Sequence, residues 1–280
     1  MNAAEWAAAE AAAAVLAQWK TSGGVIEEAA TSRAAAAGVY PASVAESGGD
    51  RVAMAKIGGE RKLIAVGGGK LYSELAGETS TGSGTAFKVC PLTHENRLVL
   101  NGAFEFTKPR AIGTKTATIG LGDRLGLASP GHIKTVAGRD IRPILAQQSI
   151  RELNLTGRTY EDVLDAAAYA VFQEGYKDGW GADGDHLKTT EDIEYALRLG
   201  FSMLTLDASE HIDGGAGAAD DAEIARRYEE LDAAYRARVE SDYADREFNV
   251  SGASFSVSLA ELKRYALVYG QAIRFMVDIY

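Results

Sequence analysis

The rhythm of apolar positions changes along the chain, and each rhythm predicts a different element. Ala3 to Trp19 is an alanine-rich run, interrupted by Glu5 and Glu10, that reads as a helix. Val52 to Ile57 and Lys62 to Val66 are short β-prone runs on either side of Gly58-Gly59, the pattern of a hairpin. Phe87 to Val89 and Leu98 to Leu100 predict further strands. Gly77 to Gly84, rich in Thr, Ser and Gly and without an apolar anchor, predicts a mobile loop. These segments imply a small leading α/β region.

From Thr116 the order becomes strand, polar loop and helix, repeated. Thr116 to Leu121 leads into a glycine-rich loop. Arg142 to Ala146 leads through Gln147-Gln148 to a helix starting near Thr159, whose Leu164, Ala167, Ala168, Val171 and Phe172 share one face. Thr159 and Asp162 supply its N-cap and acidic third position. Trp180 to Ala182 predicts a short strand approaching Asp183 and Asp185-His186; Thr189 and Asp192 cap a helix carrying Ile193, Ala196 and Leu197, ended by Gly200. Phe201 to Leu206 predicts the next strand, running into Asp207, Ser209 and His211. Ile224, Tyr228, Leu231, Tyr235 and Val239 predict one long amphipathic helix, and Leu259 to Met276 a last one.

Strands alternating with helices imply a parallel sheet. The polar residues gather just after each strand: Asp123 and Arg124, Gln147 and Gln148, Asp185 and His186, Asp207 and His211. That distribution favours a β/α barrel, built around the C-terminal ends of its strands, over an open sheet with a single switch point. The predicted fold class is α/β: a (β/α) TIM-like barrel, only about the first half present, preceded by a small α/β N-terminal region. A full barrel takes eight units in roughly 250 residues, whereas about four strands are legible before the final helix. The implied organisation is an alanine-rich helical segment over 1–38, the small α/β region over 39–110 and the barrel half over 111–280.

The 280 residues are 46% hydrophobic, ample for a core, and carry a formal net charge of −10. That balance weighs against nucleic acid and anionic membranes as partners, and requires any anionic ligand to be met by locally placed basic residues. The single cysteine, Cys90, excludes an internal disulfide or a CxxC zinc site and fits a reducing cytoplasm. The N-terminal run has no basic segment before it and is broken by glutamates, so neither a signal peptide nor a membrane span is expected.

The GGGK of Gly67 to Lys70 lacks the spacing and the following Ser or Thr of a phosphate-binding loop and reads as a turn. Gly120-Leu121-Gly122 with Gly126 follows a strand, but Asp123 and Arg124 stand where backbone must approach a pyrophosphate, which disfavours a nicotinamide site. His94 is not part of an HExxH pattern and reads as a surface or packing residue; His132 is either a loop residue bonded to backbone or one that reaches a ligand. Asp185-His186 carries most weight. A histidine at a strand end can coordinate a divalent ion while the adjacent carboxylate works as a base on the same substrate. A metal site usually needs three protein ligands, and His211 is the nearby second imidazole; a hydrogen-bonded structural pair is the alternative.

The blocks GLGDRLGLASPGH from Gly120, AQQSIREL from Ala146, VFQEGY from Val171, GADGDHLKTTEDI from Gly181 and LTLDASEHID from Leu204 closely resemble the tagaturonate epimerase family. VYPASV from Val39 and PLTHEN from Pro91 also look like that family, whose members are considerably longer. The resemblance implies a metal-dependent interconversion of D-tagaturonate and D-fructuronate in bacterial hexuronate breakdown. It implies Asp185 as general base and His186 as ligand of a divalent cation, with the other ligands and the proton donor beyond Tyr280. Arg124 and Lys188 are candidates for the substrate carboxylate, and Gln147, Asp207 and His211 for its hydroxyls. The competing readings are a class II aldolase-like lyase, which needs the same base and ion, and an inactive or metal-free fragment that binds sugar acids. The expected partner is the small-molecule hexuronate, and self-association into a homo-oligomer stays open.

Overall fold

In the computed structural model, which describes residues 1–19, 28–82 and 84–280, the chain divides into two units, Met1–Thr205 and Leu206–Tyr280. Residues 20–27 of the expected leading segment and Ser83 of the expected loop lie outside the described residues.

The first unit opens with helix α1 (Ala3–Ala17), capped reciprocally by Asn2 and Glu5, and α2 (Glu28–Ala36). Strands β1 (Ala45–Ser47), β2 (Asp50–Ile57), β3 (Glu60–Val66), β4 (Glu78–Gly82) and β5 (Thr85–Cys90) form an antiparallel sheet in the order β1-β2-β3-β5-β4. Gly58 and Gly59, with φ of +60° and +91°, make the tight turn between β2 and β3 that only glycine takes cheaply at both positions. Alternate side chains serve two cores. Ala53, Ala55, Ile57, Ile64, Val66, Phe87 and Val89 pack beneath Ala9, Ala12, Ala13 and Leu16 of α1. Val52, Met54, Leu63, Ala65 and Cys90 face Leu71, Leu100, Phe104, Tyr169 and Phe172 on the other side.

Two expectations change here. Leu98 to Leu100 is no strand: it lies in α4 (His94–Ala103), which follows α3 (Lys70–Glu74) and is capped by Thr93. Leu100 is buried and Leu98 exposed, the one-sided burial of an amphipathic helix that a three-residue apolar run cannot reveal. Glu78–Gly82 of the expected loop is a strand, paired with β5 through Ser80 opposite Phe87. An edge strand is held by backbone hydrogen bonds and needs no apolar anchor of its own.

The remainder of the unit alternates. Strand β6 (Thr118–Gly122) leads to α5 (Ser129–Val136), β7 (Arg142–Gln147) to α6 (Ile150–Thr156) and α7 (Tyr160–Glu174), and β8 (Gly181–Leu187) to α8 (Thr190–Leu199) and β9 (Met203–Leu206). Thr159 and Asp162 cap α7 reciprocally, Thr189 caps α8, and Gly175 and Gly200 end the two helices in the left-handed conformation. The order is β6-β7-β8-β9, with β6, β7 and β8 parallel, in an open sheet; no closed barrel forms among the described residues. Asp183, Asp185 and His186 lie inside β8 rather than after it.

In the second unit the expected long helix is two, α10 (Asp221–Glu229) and α11 (Ala233–Tyr243), after the short α9 (Gly214–Ala218). The break comes where Asp232 accepts from the Tyr235 N–H at 2.8 Å, so a new N-cap interrupts an unbroken apolar rhythm. Strands β10 (Glu247–Val250) and β11 (Ala253–Ser256) pair as a hairpin before α12 (Leu259–Ile279). Ala216, Ile224, Tyr228, Leu267 and Val268 form this unit's core. Among the described residues no helix is long and apolar enough to cross a membrane.

Candidate active site

Strands β6, β7 and β8 border a cleft of about 730 Å3, lined by Gly122, Asp123, Arg124, Gln147, Asp185 and His186 among others. Its size suits a small molecule. Pairing of β6 with β7 steps from Gly120 opposite Ile144 to Gly122 opposite Gln147, so β7 carries one extra residue. Ala146 absorbs it at φ +59°, a left-handed conformation costly for a residue with a Cβ. The bulge sets Gln147 at the strand end. In β8, His186 is likewise left-handed, at φ +57°. Non-glycine residues held so on adjacent strands mark a place where the fold gives up backbone ease for side-chain placement.

Asp185 Oδ1 and His186 Nδ1 stand 2.6 Å apart, the carboxylate mostly covered and the imidazole mostly exposed. With Nδ1 tied to the carboxylate, Nε2 is the ring atom that would take an ion, the way carboxylates orient metal-bound imidazoles. The pair fits one corner of a metal site, since a single imidazole leaves at least two protein ligands to be found.

Beneath this pair lies a residue passed over in the sequence. Asp183, two positions before Asp185 and so on the same face of β8, is fully buried. Burial pushes its carboxyl above the usual range against the pull of hydrogen bonds from Thr205 and Gln147. Thr205 Oγ1 donates at 2.9 Å and Gln147 Nε2 at 3.2 Å, both to Oδ2. The period-two rhythm of a strand, applied backward from Asp185, is the signal that would have found it.

Asp123 is also buried, for a different purpose. It accepts from the N–H groups of Leu127 at 3.0 Å, Ala128 at 2.9 Å and Ser129 at 2.8 Å, and from Ser129 Oγ at 2.7 Å. Burial works to raise its pKa, but these donors outweigh it and hold the carboxyl below its ordinary value. The donors at the start of α5 therefore have an anion of their own chain. The GGGK turn is filled the same way, Gly68, Gly69 and Tyr72 donating to Asp50 at 2.9, 2.7 and 3.0 Å. Neither glycine-rich loop presents those amides to a phosphate.

Arg124 extends from the Asp123 loop with its side chain 71% exposed, 3.6 Å from Glu152. Glu152, pushed down to about 2 by hydrogen bonds from Ser149 and Arg151, is shared between the two guanidiniums. Arg124 thus brings a guanidinium to a cleft otherwise lined by the carboxylates of Asp123, Glu152 and Asp185.

Arg124, Gln147, Asp185 and His186 come together at the cleft. Lys188 is half-buried just past β8 and is not one of the residues lining it. Asp207 and His211 belong to the second unit, where Asp207 accepts from the Ser209 N–H at 2.9 Å and His211 stacks on Phe275 with ring centres 4.3 Å apart. His132 sits on α5, its buried Nδ1 without a hydrogen-bond partner.

His94, read above as a packing residue, joins Glu161 and Asp165 in a group whose ligand atoms lie within 4.8 Å of one another and could hold a metal. The buried Arg97 donates to Asp165 at 2.8 Å and reaches His94 Nδ1 at 3.3 Å, so a guanidinium already supplies the positive charge there.

A family model described as UxaE, tagaturonate epimerase, matches residues 40–280. The tagaturonate/fructuronate epimerase of Thermotoga maritima is 38% identical over 213 residues, which make up 76% of this chain and 44% of that protein. The native structure of the fructuronate-tagaturonate epimerase UxaE from Cohnella laeviribosi aligns at 58% identity and a TM-score of 0.82, covering 86% of this chain and 49% of its own. Its complex with one glycerol aligns at 56% identity and 0.83, covering 90% and 51%. The chain spans about half the length of the relatives it matches.

Proposed function

This chain belongs to the tagaturonate epimerase family, and from that premise we propose that it carries one part of a metal-dependent site interconverting D-tagaturonate and D-fructuronate in hexuronate breakdown. Its open parallel sheet would be the first half of a β/α barrel, with the rest of the metal's ligands and a proton donor on the other half. The observation that carries the reading is the 2.6 Å contact of Asp185 with His186 at the cleft.

The chemistry constrains the roles. The carbon that inverts bears a hydroxyl and lies two bonds from the ketone, so its C–H is not acidic and direct deprotonation fails. Retro-aldol cleavage is open to a β-hydroxy ketone. Asp185 would take the hydroxyl proton through Oδ2, its other oxygen being engaged by His186. The C–C bond between the α and β carbons then breaks, its electron pair moving toward the ketone oxygen as an aldehyde forms. Rotation of the aldehyde, re-formation of the bond on its other face and return of the proton from Asp185 complete the inversion. A divalent ion held in part by His186 would supply Lewis-acid stabilisation to the ketone oxygen. Arg124 would hold the substrate carboxylate and Gln147 a hydroxyl.

Asp185→Asn in a full-length protein is expected to lower kcat by about 10²–10⁴ while bound metal, measured by emission spectroscopy, persists, because Asn can still accept from His186. His186→Ala should lower the metal content. Metal lost from the first variant and kept in the second would exchange the two roles, and free aldehyde released in stoichiometric yield would make the enzyme a lyase.

A further inference from the structure

A connected row of polar contacts crosses the parallel sheet. A Cβ on Gly120 of β6 would stand 2.7 Å from Gln147 Oε1 and 2.9 Å from Nε2, so the carboxamide of β7 lies directly on that glycine. Nε2 donates to Asp183 of β8, and Thr205 of β9 donates to the same carboxylate. Asp183 is fully buried and needs these donors; an acceptor turned toward it would set two oxygens against each other. The carboxamide is therefore held one way round, nitrogen on Asp183 and oxygen over Gly120, an exposed residue. Any larger residue at 120 would overlap that oxygen. The bulge at Ala146 puts Gln147 in position for this arrangement.

We infer that Asp183 is a positioning residue that fixes Gln147 as a hydrogen-bond acceptor in the cleft, so that Gln147 selects a hydroxyl of the sugar acid and turns away its carboxylate. The inference rests on the hexuronate reading above. An ionised carboxylate has no proton to donate and meets Oε1 with like polarity, whereas every hydroxyl of the polyol chain can donate. The acceptor is set before the substrate arrives, so its orientation costs nothing on binding. Exclusion of the carboxylate from Gln147 leaves that group to Arg124 and gives the substrate one direction in the cleft.

Asp183→Asn allows the carboxamide to turn either way. The Kd for D-tagaturonate, by calorimetry on a full-length protein, is expected to rise about tenfold, the size of one neutral hydrogen bond. In a full-length protein KM rises by a similar factor while kcat changes less than about threefold. A fall in kcat of about a hundredfold or more at unchanged KM would mean proton transfer and overturn the positioning role.

The double variant Asp183→Asn with Gln147→Glu exchanges carboxylate and amide but keeps a donor inside and an acceptor outside. Binding is expected to return to within about threefold of the unsubstituted chain. A deeper loss, from an outward carboxylate repelling the substrate's own, overturns the assignment of Gln147 to a hydroxyl. If the unsubstituted full-length protein neither binds nor converts D-tagaturonate, the hexuronate reading itself fails. Orientation is then judged by the side-chain amide resonances of Gln147, which should shift and exchange faster with water in Asp183→Asn; unchanged resonances overturn it.

Discussion

Along β2, neighbouring side chains enter two different cores, Val52 and Met54 one and Ala53 and Ala55 the other, and the strand is apolar through its centre. Along β8, Ala182 is followed by the buried Asp183, the half-buried Asp185 and the exposed His186. The antiparallel sheet is covered on both faces and uses its residues for packing. The parallel sheet leaves its strand ends open, spends buried positions on hydrogen-bonded polar groups, and holds Ala146 and His186 in left-handed conformations. Stability and chemistry are thus divided between two sheets of the first unit, and a substitution should reveal which sheet it has entered.

The largest expected contrast is between two isoleucines. Ile64→Ala, fully buried in the antiparallel sheet, should lose about 2–5 kcal/mol of stability in urea unfolding, since the cavity adds to the lost transfer energy. Ile119→Ala, on β6 and 41% exposed, should lose under about 1 kcal/mol. Equal losses would mean that the parallel sheet is as fully covered as the antiparallel one.

An intermediate effect belongs to Asp123. Asp123→Ala orphans the Leu127, Ala128 and Ser129 donors and should cost about 1–3 kcal/mol. Because its folded pKa lies below the unfolded value of about 3.9, the carboxylate contributes stability above that value, lost as pH falls through it toward the folded one. The variant should show a shallower acid loss of stability over that window. An unchanged slope would show that the loop does not depend on the charge.

The smallest expected effect has the opposite sign. Ala146→Gly relieves a left-handed residue and should be neutral or stabilising by up to about 1 kcal/mol, whereas Ala55→Gly in β2 should cost about 0.5–1 kcal/mol. Destabilisation at 146 would show that the bulge holds no strain.

Much of this architecture was legible in local pattern. The Gly58-Gly59 turn and the Thr159 and Thr189 caps depend on neighbours within a few residues, and those interactions are written in order along the chain. The misreadings share a cause. Leu98 to Leu100 is too short an apolar run to separate periods of two and 3.6, β4 is held by a partner strand rather than by its own side chains, and Asp232 breaks a helix whose apolar rhythm continues through it.

The sequence by itself determined where polar residues accumulate and that the two glycine-rich loops were poor phosphate sites. Only the tertiary structure decided that Asp123 and Asp50 fill those loops, that Arg124 and Arg151 share Glu152, and that Gly120, Gln147, Asp183 and Thr205 meet across the sheet. Their partners come from separate elements or depend on the path of a loop. Which oxygen faces which donor is settled by burial and distance, and a sequence records neither.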